Sequence, residues 1–251
     1  MDLNADLGEG APGDRQILEL VSSASVACGF HAGDPATMAD TARAAAARGV
    51  SVGAHPSYDD RDGFGRRHQD VPAEELVALV AFQVGAMAAA AAIGGTSVRF
   101  VKPHGALYNR AAVDPEVAGA VVEAVARAGA PVAGRPLALL CPPGSHLARC
   151  ADSAGVPVYT EAFADRLYAP DGALVSRSDP AAVLRDPRAV VRQAVELAVH
   201  GRVVAADGSE LELRAHSICL HGDSPGAVAV AQSVRRALED AGVQIAPFLS
   251  Y

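Results

Sequence analysis

The sequence is short of basic charge, of paired cysteines and of aromatic rings. Its 251 residues carry a formal net charge of −8 and a pI near 5.4. No basic face is left to neutralise phosphates, so neither nucleic acid nor a membrane surface is an expected partner. The four cysteines, Cys28, Cys141, Cys150 and Cys219, show no C-x-x-C spacing. Three lie in or at the end of apolar runs, as small core residues of a cytoplasmic protein do. The chain opens on Asp2, Asn4, Asp6 and Glu9 rather than on a basic stretch followed by an apolar one, so a secretory signal is not expected. The one long apolar run, residues 76–93, is interrupted by Gln83 and Gly85 and is nearly half alanine. It reads as a helix packed on a sheet rather than as a membrane span.

Several catalytic signatures are missing as well. There is no G-x-x-x-x-G-K-[ST] loop for nucleotide phosphates and no G-x-G-x-x-G opening a helix after the first strand. Neither H-E-x-x-H nor G-x-S-x-G is present, which removes the commonest zinc-peptidase and serine-hydrolase patterns.

What is present is an alternation of short β-type runs with longer alanine-rich stretches, in a chain that is 50% hydrophobic and 20% charged. Such alternation is the mark of repeated βα units around a parallel sheet. Strands are predicted over residues 2–6, 25–28, 50–54, 98–102, 137–141, 156–161 and 217–220. Helix starts are marked by Asp34-Pro35, Asp114-Pro115, Asp186-Pro187 and Ser224-Pro225, where a capping side chain precedes a ring that presets the first turn. Helix stops fall at Gly49, Gly94-Gly95, Gly129, Gly155, Gly201 and Gly242. Seven βα units in 251 residues point to an α/β fold of the distorted seven-stranded (β/α) barrel type, with a doubly wound sheet as the alternative. No linker or repeat divides the chain, so a single domain over 1–251 is expected. A hairpin around Asp207-Gly208, near 202–214, is read as decoration or as a contact in a homo-oligomer.

In such folds ligands meet the C-terminal ends of the strands. Four of the eight histidines, His31, His55, His104 and His221, fall within three residues of a predicted strand end. Those windows cover about 8% of the chain, so chance placement would put fewer than one histidine there. The chain also has a single lysine, Lys102, among its 21 basic residues, and it stands beside His104 at a strand end. A guanidinium fork does not replace a compact ammonium whose pKa responds to burial. Asp6 in a parallel core strand needs a partner, because an unpaired buried carboxylate is costly. Glu161, Asp165 and Arg166 read as an internal ion-pair group, and Asp34 and Asp223 as helix caps or rim residues. His68, His146, His200 and His216 read as surface or packing residues. An acid-and-imidazole rim with one ammonium suits hydrolysis, and it equally suits one divalent metal ion held by Asp6, His31 and His55.

Taken in order, Asp2-Leu3-Asn4-Ala5-Asp6-Leu7-Gly8-Glu9, Ala27-Cys28-Gly29-Phe30-His31-Ala32-Gly33-Asp34-Pro35, Gly53-Ala54-His55-Pro56, Gly63-Phe64-Gly65-Arg66-Arg67, Val101-Lys102-Pro103-His104-Gly105-Ala106-Leu107-Tyr108-Asn109, Phe163-Ala164-Asp165-Arg166 and His221-Gly222-Asp223 resemble the LamB/YcsF family of lactam-utilisation proteins. Ser25 stands where that family usually has asparagine, and Ala5 where cysteine is common.

The resemblance implies a barrel like that of the glycoside hydrolase/deacetylase superfamily. It also implies the A-subunit role in an ATP-dependent 5-oxoprolinase, converting 5-oxo-L-proline, ATP and two waters to L-glutamate, ADP and phosphate with subunits B and C. With no nucleotide loop in this chain, ATP is expected mainly on the partners. Asp6 with His55 or His104 would deprotonate water, Lys102 would hold the substrate's carboxylate or phosphate, and Arg166 and His221 would complete an anion cradle. Asn4, Glu9, His31, Asp34, Asn109, Glu161, Asp165 and Asp223 are the remaining expected substrate contacts. The alternatives are a metal-dependent deacetylase or amidohydrolase acting on N-acyl sugars and a non-catalytic subunit that delivers the lactam.

Overall fold

Seven short parallel strands close on themselves in the computed structural model, which describes residues 1–129, 134, 136–222 and 226–249. They are β1 (Asp2–Leu7), β2 (Ser23–Ala27), β3 (Ser51–His55), β4 (Val98–Val101), β5 (Ala138–Cys141), β6 (Val158–Phe163) and β9 (Ser217–Leu220), in the order β1-β2-β3-β4-β5-β6-β9 and back to β1. Closure leaves no barrel edge, which rules out the open doubly wound sheet. Between the last two barrel strands an antiparallel hairpin, β7 (Arg202–Val204) with β8 (Glu210–Glu212), stands apart as a second sheet.

Helices α1 (Asp14–Leu18), α2 (Pro35–Ala46), α3 (Ala73–Ile93), α4 (Gly105–Val113), α5 (Pro115–Ala128), α6 (His146–Ser153), α7 (Pro187–Val195) and α8 (Ala227–Asp240) accompany the barrel. Asp34, Asp114 and Asp186 cap α2, α5 and α7 through backbone amides of the first turn. The start assigned to Ser224-Pro225 lies outside the described residues. Two helices rather than one follow β4, because Asp114-Pro115 ends one run and begins the next.

The apolar run over 76–93 is the greater part of α3, long and apolar enough to cross a membrane. Here it packs against α2 and α5, with Leu76, Val80, Val84 and Met87 buried and Phe82 and Ile93 exposed. Its one amide side chain has a specific task. Gln83 accepts from the Ser57 amide (2.9 Å) and donates to the Ser57 carbonyl (2.8 Å), so it clamps the loop that leaves β3.

Strand alternation sends Asp2, Asn4 and Asp6 into the barrel while Leu3 and Leu7 join the core packed outside it. The interior is therefore stratified. Phe100, Ala138 and Leu140, with Tyr159 and Phe248, plug one end. Gly53 makes room for that plug, since a Cβ there would sit 2.3 Å from the Phe100 ring. Above it lies a polar layer in which Asp2 accepts from Ser22 (2.6 Å), Ser23 (2.7 Å) and Ser217, and Asn4 donates to Ser217 (2.6 Å) and Glu161 (3.3 Å). The C-terminal mouth follows.

Candidate active site

Lys102, immediately past β4, turns inward and is almost completely buried. Its ammonium lies 2.9 Å from Asp6 Oδ1 and 3.0 Å from Glu161 Oε2, and it also donates to Cys219 Sγ at 3.2 Å. Burial by itself works against an ammonium, but Asp6, Cys219 and Glu161 raise Lys102 well above its usual range. Burial likewise opposes the Asp6 carboxylate, yet His55 and Lys102 hold it well below the usual carboxylate values. Both directions favour the ion pair of Asp6 with Lys102. It corrects the role expected of Lys102, because an ammonium already matched by two buried carboxylates is not a free anchor for a substrate anion.

On the other side of Asp6 three imidazoles gather. His55, the last residue of β3, donates from Nδ1 to the Lys102 carbonyl (2.7 Å), and its Nε2 lies 3.3 Å from Asp6 Oδ2. His104 donates from Nε2 to the Phe64 carbonyl (2.9 Å), and its Nδ1 faces His55 Nε2 at 2.9 Å. The His31 ring stacks on His104 with centroids 3.8 Å apart, and its Nε2 lies 3.1 Å from Glu9 Oε1.

The Phe64-Gly65 turn holds this stack in place. Phe64 takes a left-handed φ of 55°, an uncommon conformation for a bulky residue. At Gly65 φ is +65°, and a Cβ would press to 2.8 Å from His104 Cδ2 and 2.9 Å from His31 Cβ. The sequence motif containing Gly63, Phe64 and Gly65 is thus a lid pressed onto the histidines.

Burial, reinforced for His104 by the neighbouring His55 and His31, pushes His104 well below the usual imidazole range and lowers His31 in the same direction. The unfolded chain accepts protons that these rings refuse. Their contribution to stability is complete above the ordinary histidine value near 6.5 and is lost as pH falls below it. Thermal melts in chelator-containing buffer, taken from about pH 8 to about pH 5, should show a steady Tm at the alkaline end and a progressive fall below about 6.5. A profile without that fall contradicts the neutral, buried state of the rings.

The third side of the mouth holds Asp165 and His221. His221 Nδ1 lies 2.9 and 2.8 Å from the two Asp165 oxygens. Its ring lies parallel to Phe163 with centroids 5.6 Å apart. One ligand-type atom each of His221, Asp6 and Cys219 fall within 4.8 Å of one another. Burial opposes the Asp165 carboxylate, but His221 holds its pKa below the ordinary value. A carboxylate accepting from Nδ1 fixes the tautomer and leaves Nε2 as a lone pair, the arrangement of an oriented general base. A cleft of about 570 Å³ adjoins this mouth, lined by Glu9, Gly10, Ala11, Pro12, Phe64, Gly222 and Val228 among others.

Of the residues singled out by sequence, Asn4, Asp6, Glu9, His31, His55, Lys102, His104, Glu161, Asp165 and His221 converge here. Three others do not. Asp34 is exposed and caps α2, accepting from the Thr37 amide at 2.8 Å, so that helix terminus is closed by its own cap rather than open to a ligand. Asn109 lies on the exposed face of α4, one residue past the buried Tyr108. Arg166 is buried, but its guanidinium donates to the carbonyls of Val175 (2.7 Å) and Ala182 (3.2 Å), so it braces a loop instead of cradling an anion. Asp223 lies outside the described residues. Two members of the expected metal trio, His31 and His55, share with Glu9 and His104 a group whose ligand-type atoms lie within 4.8 Å of one another, while Asp6 groups in the same way with Cys219 and His221.

Cys219, Phe163 and Phe64 also line the site, beyond the polar residues that the strand-end rule selects. Cys219 was legible in principle, since it stands two residues before His221 and two after Ser217 on a strand whose alternate residues face inward.

The closed seven-stranded parallel barrel with flanking helices defines the fold class of the chain, an α/β barrel. The family 4 carbohydrate esterase from Streptomyces lividans shares the fold, with a TM-score of 0.52 at 10% identity over 98% of this chain and 90% of that one. Within that class the chain belongs to the LamB/YcsF family, whose profile matches residues 1–251. It is 52% identical over 253 residues to a protein from Streptomyces griseus named as the A subunit of 5-oxoprolinase, covering 99% of each chain. The lactam utilization protein from Thermus thermophilus superposes with a TM-score of 0.88 at 42% identity, covering 98% of both chains.

Proposed function

We propose that this chain is the A subunit of an ATP-dependent 5-oxoprolinase and that its barrel mouth is the hydrolytic site for the lactam. The full-length identity of about half to relatives bearing that name supports the role. The observation that carries the assignment of chemistry is the Asp165–His221 pair set beside Asp6 at the open end of the barrel.

A five-membered lactam is a resonance-stabilised amide with a poor leaving nitrogen, so water attacks it slowly. Transfer of the ATP γ-phosphoryl group to the lactam oxygen gives an activated imidate, and we assign that step to partner subunits B and C. His221 Nε2 then takes a proton from water as its oxygen bonds to the ring carbon. Return of that proton to the ring nitrogen, followed by passage of the new hydroxyl's proton to the same nitrogen, lets the C–N bond break to a free amine as the carbonyl forms, leaving an acyl phosphate. A second water releases phosphate and glutamate. Asp165 holds His221 in the productive tautomer and steadies the imidazolium formed in the first step. Asp6, kept ionised by Lys102, favours that same cation from the opposite side.

Reconstitution tests this reading. Glutamate and phosphate release from 5-oxoproline and ATP should require this chain together with candidate B and C subunits. Rapid ATP hydrolysis by this chain alone, independent of the lactam, would overturn the division of labour.

A further inference from the structure

The hydrogen bonds around His55 and His104 fix where their protons are. The Lys102 carbonyl accepts from His55 Nδ1 at 2.7 Å, and the Phe64 carbonyl accepts from His104 Nε2 at 2.9 Å. A carbonyl cannot donate, so in the neutral form of each ring the one proton is spent on backbone and the other nitrogen is a lone pair. Those two lone pairs, His55 Nε2 and His104 Nδ1, face each other at 2.9 Å. Two acceptors at that distance repel unless something positive lies between them or beside them.

The rest of the shell adds acceptors rather than donors. Glu9 Oε1 lies 3.5 Å from His104 Nδ1, and Asp6 Oδ2 lies 3.3 Å from His55 Nε2. Charge points the same way: Asp6, Glu9 and Glu161 bring three carboxylates into a mouth where Lys102, paired with Asp6 and Glu161, supplies one ammonium. His31 supports the group by donating to Glu9 at 3.1 Å, which leaves its own Nδ1 buried without a partner.

We propose that Glu9, His55 and His104 bind one divalent transition-metal ion, with His31 bracing Glu9 from the rear. Two imidazoles and a carboxylate suit zinc, cobalt or manganese better than calcium, and three protein ligands leave a coordination position open toward the mouth. The inference rests on tautomers and charge and is independent of the lactam reading. Its test uses neither substrate nor partner subunits, so either reading can fail while the other stands.

The full chain, stripped with a chelator and returned to chelator-free buffer, is titrated with Zn²⁺ by calorimetry and with Co²⁺ by visible absorption. One ion per chain is expected, with a micromolar or tighter Kd. Glu9→Gln and His104→Gln should each weaken binding at least tenfold, while His68→Gln, on the surface beside Asp70, should leave it unchanged. Glu9 lies at the rim, so Glu9→Gln remains informative if His104→Gln fails to fold. In the wild-type chain, ¹⁵N NMR should show His55 Nε2 and His104 Nδ1 as unprotonated nitrogens that shift on zinc addition. Failure to take up one equivalent, or uptake that Glu9→Gln leaves intact, overturns the proposal. So does a strongly deshielded proton bridging the two rings that persists in excess zinc.

Discussion

Replacing Lys102 with methionine is expected to destabilise the chain by about 3–5 kcal/mol, the usual consequence of deleting one partner of a buried ion pair. For a domain of this size that is a fall in Tm of roughly 6–20 °C. Methionine keeps most of the stem's volume, so the loss comes from charge: Asp6 and Glu161 are left buried without the cation 2.9 and 3.0 Å away. Two companions separate this cause from poor packing. Lys102→Met combined with Glu161→Gln should recover part of the loss, and lowering the pH should narrow the gap between Lys102→Met and wild type as the stranded carboxylates take up protons. Lys102→Arg should fail to restore stability, because the planar fork is bulkier than the ammonium it replaces in a closed pocket. Denaturation within about 2 °C of wild type for Lys102→Met would contradict the buried ion triad.

His221→Gln is expected to lower kcat of the reconstituted complex by about 10²–10⁴, the range typical of a lost general base. The KM for the lactam should change little, since the ring's task is proton transfer. Asp165→Asn tests the positioning role: the amide leaves His221 in place but no longer selects the tautomer. It should therefore reduce kcat and alter the acid limb of the pH–rate profile while Tm stays near wild type. Glutamate release within threefold of wild type for His221→Gln would remove His221 from the mechanism and return the base to Asp6 or His55.

Much of the architecture was legible because it is local. Short apolar runs bounded by glycine and by Asp-Pro dipeptides mark barrel strands and helix starts without reference to the rest of the chain. The rule that strand ends carry function then found Asp6, His55, Lys102, His104 and His221. What escaped depends on contacts between distant residues. Whether Asp34 caps a helix or meets a ligand is decided by where α2 begins relative to the mouth, and nearby sequence is the same in both cases. Asp165 and Arg166 look like an ion pair in the sequence, yet their side chains separate: Asp165 meets His221 across the barrel seam and Arg166 turns to the carbonyls of Val175 and Ala182. Cys219 was hidden by its apolar neighbours, though its period along β9 brings it to Lys102.

The burial of the only lysine has a practical corollary. Lys102 is 2% exposed, so amine-acylating reagents find no side-chain target while the barrel stays shut. The ε-amino group becomes reactive when the strands part, and mass-spectrometric tracking of its acylation would time the opening of the barrel with a reporter already present in the native chain.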